Sequence, residues 1–125
     1  MNDDAAIALV RRWWDEVWRD GNVDAVADLV TDPFTRHTSA GTEVTTPAEY
    51  GKKLTQFQRA LYRPETTVHD LAVEGDRVWQ RATSHGVNLD TGDRAVVTWM
   101  LEIRVADGRI AEMWIGALSG VDWQE

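Results

Sequence analysis

Arg81 and His85 stand four residues apart in a stretch where Trp79, Arg81, Thr83 and His85 alternate with other side chains. In a strand such residues share one face. A guanidinium can hold a carboxylate or enolate oxygen, and an imidazole can give or take a proton near neutral pH. Burying either among apolar groups is costly unless it is paired, so a wall that carries both points to a ligand cavity. Two more alternating sets follow: Trp99, Leu101, Ile103 and Val105, then Ile110, Glu112 and Trp114. Side by side, the three faces predict a curved wall with Arg81 and His85 pointing inward. The plainer reading pairs Arg81 with Glu112 as a structural ion pair.

The chain has seven tryptophans in 125 residues, an unusual share. Trp14, Trp18, Trp79, Trp99 and Trp114 are candidates to line a pocket for a flat, apolar ligand, although some must fill core. Phe34, Tyr50 and Phe57 add aromatic surface. The spacings of His37, His69 and His85 match no metal-ligand pattern, so no metal is expected. Without a glycine-rich phosphate loop, a dinucleotide fingerprint or a nucleophile elbow, an NTPase, a dehydrogenase and a serine hydrolase are poorly supported.

The elements that would position these residues can be read from periodicity. Ile7, Val10, Trp14, Val17 and Trp18 recur at helical steps from Asp3 to about Asp20, with Asp3 or Asp4 as cap and Gly21 as stop; Trp13 lies beside that stripe. A short helix fits Val23 to Val30, capped by Asn22 and stopped by Pro33, and an extended arm fits Phe34 to Ser39. Thr46-Pro47-Ala48-Glu49 is a capping box with proline at the first helical position, so a third helix starts at Pro47 and is closed by Pro64. From Thr66 the period becomes two. Strands fit Thr66–Glu74, Arg77–Leu89, Arg94–Ala106 and Arg109–Leu118, joined in part by the turns Gly75-Asp76 and Asp107-Gly108. Helices followed by an antiparallel meander make an α+β domain.

Several stretches resemble one family. Asp20-Gly21-Asn22-Val23-Asp24 to Asp32 resembles its first helix hairpin. Phe34-Thr35-Arg36-His37 resembles its first strand, Glu74 to Arg81 its "E-G-D-x-V-x-x-R" hairpin, and Val105 to Trp114 its closing "V-x-D-G-K-I-x-E-x-W". The chain resembles the nuclear transport factor 2-like superfamily, in its SnoaL-like polyketide cyclase and ketosteroid isomerase-like branches. The resemblance spans residues 1–125 as one SnoaL-like domain. It implies a cone-shaped fold, three N-terminal helices packed on a highly curved antiparallel sheet that encloses a cavity. It implies a cofactor-free acid–base enzyme acting on a small apolar cyclic or polyketide-like ketone by isomerisation, aldol cyclisation or dehydration. His37 aligns where the isomerases carry their base. With His37 as base, Arg81 and His85 would handle the substrate oxygen. The family's last-strand aspartate is missing, since Ile115-Gly116-Ala117-Leu118 stands there, and Thr83 replaces another. Neither Tyr50 nor Tyr62 fits the isomerase tyrosine. The missing last-strand aspartate favours the alternative of a non-catalytic small-molecule-binding module; a dimerisation module of the same fold, its cavity collapsed, is the further alternative.

A formal net charge of −8, with 13 Lys+Arg against 21 Asp+Glu, argues against nucleic acid and anionic membrane as partners. No apolar run is long enough to span a bilayer, no apolar signal core opens the chain, and the chain has no cysteine; a cytoplasmic location is the expectation. Met100, Met113 and Ile115 alternate against Trp99 and Trp114, which predicts an apolar outer sheet face covered in a homodimer.

Overall fold

A computed structural model describes residues 1–123. Helix α1 (Asp3–Arg12) is capped by the Asn2 side chain, one residue before the expected aspartates. It runs directly into a π-helical stretch, Trp13–Arg19. The wider π turn brings Trp13, Trp14, Val17 and Trp18 all to the buried side, which explains why Trp13 joins an aromatic face that a 3.6-residue period leaves it beside. Gly21, at φ 66°, turns the chain in the left-handed region that favours glycine. Helix α2 (Val23–Leu29) carries the expected Asn22 cap, and α3 (Pro47–Ala60) starts at the capping box, with the Thr46 hydroxyl accepting from the Glu49 amide.

Six strands follow the order β2-β1-β6-β5-β4-β3. They are β1 (Val30–Thr38), β2 (Gly41–Thr45), β3 (Tyr62–Glu74), β4 (Arg77–Val87), β5 (Arg94–Ala106) and β6 (Arg109–Ser119). The sheet is mixed, not antiparallel throughout, because β1 lies parallel to β6. Val30 already belongs to β1, so the second helix ends before Pro33, and Pro33 itself sits within the strand. Strand β2 pairs with β1 as a hairpin that sequence periodicity does not reveal. The turn Asp107-Gly108, both residues at positive φ, makes the predicted tight hairpin between β5 and β6.

The helices cover one side of the sheet, and register decides which side chains they cover. Ala82 opposes Trp99, Gln80 opposes Leu101 and Val78 opposes Ile103, and all six are buried toward the helices. Trp79, Arg81 and His85 therefore face the far side, opposite Glu102, Met100 and Val96. This corrects the expectation that Arg81 and His85 point inward with Trp99: β4 and β5 each alternate, but the two sets face opposite ways. In β6, Ile110 opposes Val105 and Glu112 opposes Arg104, so Ala111 is an extra residue and the alternation flips there. Ile110, Met113 and Ile115 face the helices, while Glu112 and Trp114 do not. Only Met100 of the three proposed interface residues is on the outer side, where it is 49% exposed.

Candidate functional site

The helix side of the sheet holds a cavity of about 690 Å³, within the range for small-molecule sites. Trp13, Trp14 and Trp18 of the π-helical stretch, Tyr50 and Phe57 of α3, and Trp99 of β5 form its aromatic walls. The Trp18 and Phe57 rings are nearly parallel, at 11° and 6.3 Å, and Trp99 lies 5.5 Å from both Trp14 and Trp18. Two indoles are fixed from behind. Trp14 Nε1–H donates to Gln80 Oε1 at 2.9 Å, and Trp99 Nε1–H donates to Ser84 Oγ at 2.9 Å. These bonds satisfy buried donors and lock the rings in orientation.

One strand residue brings a charge to these rings. Arg36 of β1 opposes Met113 of β6 and so points toward the helices. Its guanidinium lies 4.9 Å over the Tyr50 ring and 5.6 Å over the Phe57 ring. Its side chain is 11% exposed, and Nη1 donates to Glu43 Oε1 at 3.2 Å. Arg36 Nε is buried and has no hydrogen-bond partner among the described residues. An orphaned buried donor costs the fold about 1–3 kcal/mol. Glu43 is held from the other side by Lys53 of α3, so the pair joins β2 to α3 at the cavity edge. Among the described residues, Glu43 is the only carboxylate on the cavity wall.

Tyr50 is the second polar group among the rings. Burial pushes its phenol up to about 12, against the opposing pulls of the Arg36 charge and a hydrogen bond from Trp18. The phenol thus stays protonated across the physiological range. A neutral donor beside a fixed cation in an apolar cavity is an arrangement that stabilises a developing oxyanion.

Of the expected lining residues, Trp14, Trp18, Tyr50, Phe57 and Trp99 are gathered here. Phe34 is 1% exposed and packs edge-on behind Tyr50 at 5.6 Å, so it belongs to the core. Trp13, Arg36, Glu43 and Lys53 are among the cavity residues not expected from the sequence. A signal for Arg36 existed: Phe34 and Arg36 share a face of β1, so an inward Phe34 sends His37 outward.

His37 does stand on the far side, with Trp114 stacked on it at 5.1 Å and 12°. Both its ring nitrogens are engaged, Nε2 with Glu112 Oε2 at 2.7 Å and Nδ1 with Thr42 Oγ1 at 2.8 Å. Glu112 also accepts from Arg104 Nε at 3.1 Å, and these two partners hold its carboxyl below the usual range. Arg81 pairs with Asp70, not Glu112, and also donates to the Trp123 carbonyl. His85 pairs with Asp122 at 2.9 Å. His69 reaches Thr83 on the same side, at 2.8 Å. A far-side depression of about 850 Å³, lined in part by His37, Trp79, Arg81, Met100 and Trp114, is larger but more open than the helix-side cavity. The helix-side cavity is the more enclosed of the two and would bury more of a ligand. Among the described residues, no group of three or more acids and histidines could hold a metal ion, and no helix is long and apolar enough to cross a membrane.

Known structures share this architecture. A candidate polyketide cyclase from Acidithiobacillus ferrooxidans superposes with a TM-score of 0.84 at 16% identity, covering 94% of this chain and 91% of its own. A candidate SnoaL-like polyketide cyclase from Jannaschia sp. CCS1 gives 0.77 at 23% identity, covering 91% and 85%. IdmH, a candidate polyketide cyclase from Streptomyces antibioticus, gives 0.69 at 22%, covering 83% and 86%. At these identities the likeness establishes the fold. No curated protein matches the chain. Residues 10–113 match the model of the SnoaL-like domain, and with three helices laid on a six-stranded mixed sheet the chain belongs to that family.

Proposed function

We propose that the helix-side cavity binds a small, flat cyclic or polyketide-like ketone and catalyses its enolisation without a cofactor. Enolisation is the step shared by isomerisation, aldol cyclisation and dehydration. The observation that carries this reading is the wholly buried Tyr50 phenol, kept protonated beside the Arg36 guanidinium. Tyr50 donates to the ketone oxygen as it gains charge, and the nearby cation stabilises that charge. Glu43, on the cavity wall, takes the proton from the adjacent carbon. His37, the base that the family resemblance suggested, opens onto the other side of the sheet and has both nitrogens engaged, so it has no part in this reading.

The test needs no knowledge of the natural substrate. Deuterium exchange at the α-carbon of bicyclic ketones such as tetralones is followed by NMR in heavy water. Exchange above the buffer rate is expected, and Glu43→Gln should slow it about 10²–10⁴-fold. Ring ketones that bind but exchange no faster than in buffer would sink the catalytic reading. A second reading, a binding module without turnover, is favoured by one observation: Glu43 is already held by both Arg36 and Lys53.

A second copy of this chain is the partner we propose for the far side. Trp79, Met100 and Trp114 form an apolar patch there, edged by the pairs Arg81–Asp70 and Arg77–Glu102. That rim is close to neutral on a chain of net charge −8, so it is where two copies repel least. Light scattering that finds a monomer at high micromolar concentration would refute the pairing.

A further inference from the structure

We infer that the ligand of the helix-side cavity is a flat fused-ring ketone with its oxygens at one end only, the other end being bare hydrocarbon. The inference rests on the proposed function for its choice of cavity, but not for catalysis. Polarity is ordered across the sheet. Arg36 and Thr38 of β1 and Glu43 of β2 line one side of the cavity, and Lys53 reaches from α3 to Glu43. Tyr50 belongs to the same side, since Arg36 lies over its ring. The lining side chains of β6 from Met113 to Ala117 are apolar, and those of β5 are Val97, Trp99 and Leu101. Strand β6 lies between β1 and β5. Two strand spacings, about 10 Å, let opposite ends of one ring system meet different strands. Gln56 of α3 and Ser119, the last residue of β6, are polar lining residues outside the β1–β2 side, and both are exposed.

Indole N–H groups are the donors that the β5 side would otherwise offer, and three of them are spent. Trp14 and Trp99 donate to Gln80 and Ser84, both buried in β4. Trp18 is hydrogen-bonded to Tyr50. These indoles therefore offer a ligand ring surface and not a hydrogen-bonding edge. A hydroxyl or carbonyl pressed against them would give up its water and find no partner. The β1–β2 side differs, because its polar groups are within reach. The Glu43 and Lys53 side chains are 32% and 42% exposed. An ammonium has three N–H donors, and Glu43 engages Lys53 through one contact. A ketone oxygen at that end finds a donor, and the same oxygen at the other end finds none.

Three probes of one shape test the order: 2-acetyl-6-methylnaphthalene, 2-acetyl-6-hydroxynaphthalene and 2-isopropenyl-6-methylnaphthalene. The second puts oxygen at both ends, and the third has none. Binding is read by calorimetry. The 6-methyl ketone should bind about 10- to 100-fold more tightly than the 6-hydroxy ketone, the usual cost of a polar group buried without a partner. It should also bind at least as tightly as the isopropenyl compound, in which a methylene replaces the oxygen. Ala117→Ser places a hydroxyl on the apolar side with little change of volume, and should shrink the preference for methyl over hydroxyl. Thr38→Val, on the polar side, should leave that preference intact. Equal affinity for the 6-methyl and 6-hydroxy ketones overturns the inference. So does tighter binding of the isopropenyl compound, which would make both ends apolar, and so does a failure of all three probes to bind saturably. If the preference appears while ring ketones exchange no faster than in buffer, the catalytic proposal falls and this one stands. If ketones exchange but the 6-hydroxyl costs nothing, the reverse holds.

Discussion

The two faces of one sheet use their charged groups in opposite ways. On the far side the polar groups that attracted notice in the sequence are paired: His37 with Glu112 and Thr42, Glu112 with Arg104, Arg81 with Asp70, His85 with Asp122. On the helix side a guanidinium is buried among aromatic rings with Nη1 paired to Glu43 but Nε left unpartnered among the described residues. The pairs on the first face hold strands and the C-terminal residues in place. The unmatched donor on the second does nothing for the fold and lowers its stability. Residue type therefore says less about function than whether the folded chain has already used the group's bonding capacity. Three substitution pairs test this contrast, and their expected effects shrink in turn.

The largest difference should come from tryptophans. Trp14 is 2% exposed, contacts Trp18 and Trp99, and donates to the buried Gln80. Trp14→Ala should lower the unfolding free energy by about 3–5 kcal/mol, as large-to-small changes of buried aromatics do. Trp79 is 39% exposed on the other face. Trp79→Ala should cost less than about 1 kcal/mol in the monomer. Urea denaturation of both variants measures the gap. Equal losses would mean that the far side is as structural as the helix side.

Much of the fold is legible in the sequence, because periodicity and capping are local. The Thr46 capping box, the Asn22 cap and the Asp107-Gly108 turn all lie where the residues place them. The site is much less legible, because it depends on which face of each strand meets the helices. That is a one-bit property per strand, and nothing local fixes it. The alternation in β4 is real, yet Val78, Gln80 and Ala82 turn inward, not Trp79, Arg81 and Thr83. In β6 the extra residue Ala111 flips the parity midway. In β1 the parity is recoverable: Phe34 and His37 are three apart on a strand and so face opposite ways, and burial of Phe34 decides for Arg36. Trp13 was hidden for another reason, since a π turn changes the helical period that would have placed it.

The second contrast is between arginines. Arg36→Met removes a buried cation with an unsatisfied N–H and keeps much of the apolar stem. Glu43 retains Lys53 as a partner, so no orphaned charge is left behind. The unfolding free energy should rise by about 1 kcal/mol, the sign expected when a functional group burdens the fold. Arg81→Met breaks a pair with an Asp70 side chain that is 70% exposed, and should change stability by less than about 1 kcal/mol in the destabilising direction. Thermal melts at one pH compare the two. A destabilised Arg36→Met would show that the cavity arginine supports the fold, and the contrast between the faces would fail.

The smallest effect concerns acid. Hydrogen bonds from His37 and Arg104 hold the Glu112 carboxyl below its ordinary value of 4.5, despite the opposing effect of burial. A carboxyl whose folded value is depressed binds its proton less readily when folded than when unfolded. Its contribution to stability is therefore complete above the unfolded value, near 4.5, and is lost as pH falls through the lower folded value. Below about pH 5 the wild-type protein should lose stability with falling pH, and Glu112→Gln should flatten that slope while changing little at pH 7 beyond the loss of the pair itself. His37 sharpens the reading, because its hydrogen bond to the carboxylate is the largest cause of the depression. In His37→Ala the acid slope should shrink part of the way toward that of Glu112→Gln, with Arg104 accounting for what remains. Denaturant titrations between pH 3 and 7 measure the slopes. A Glu112→Gln slope as steep as the wild type would mean that the far-side network is not coupled to folding. The far side would then be no more structural than the helix side.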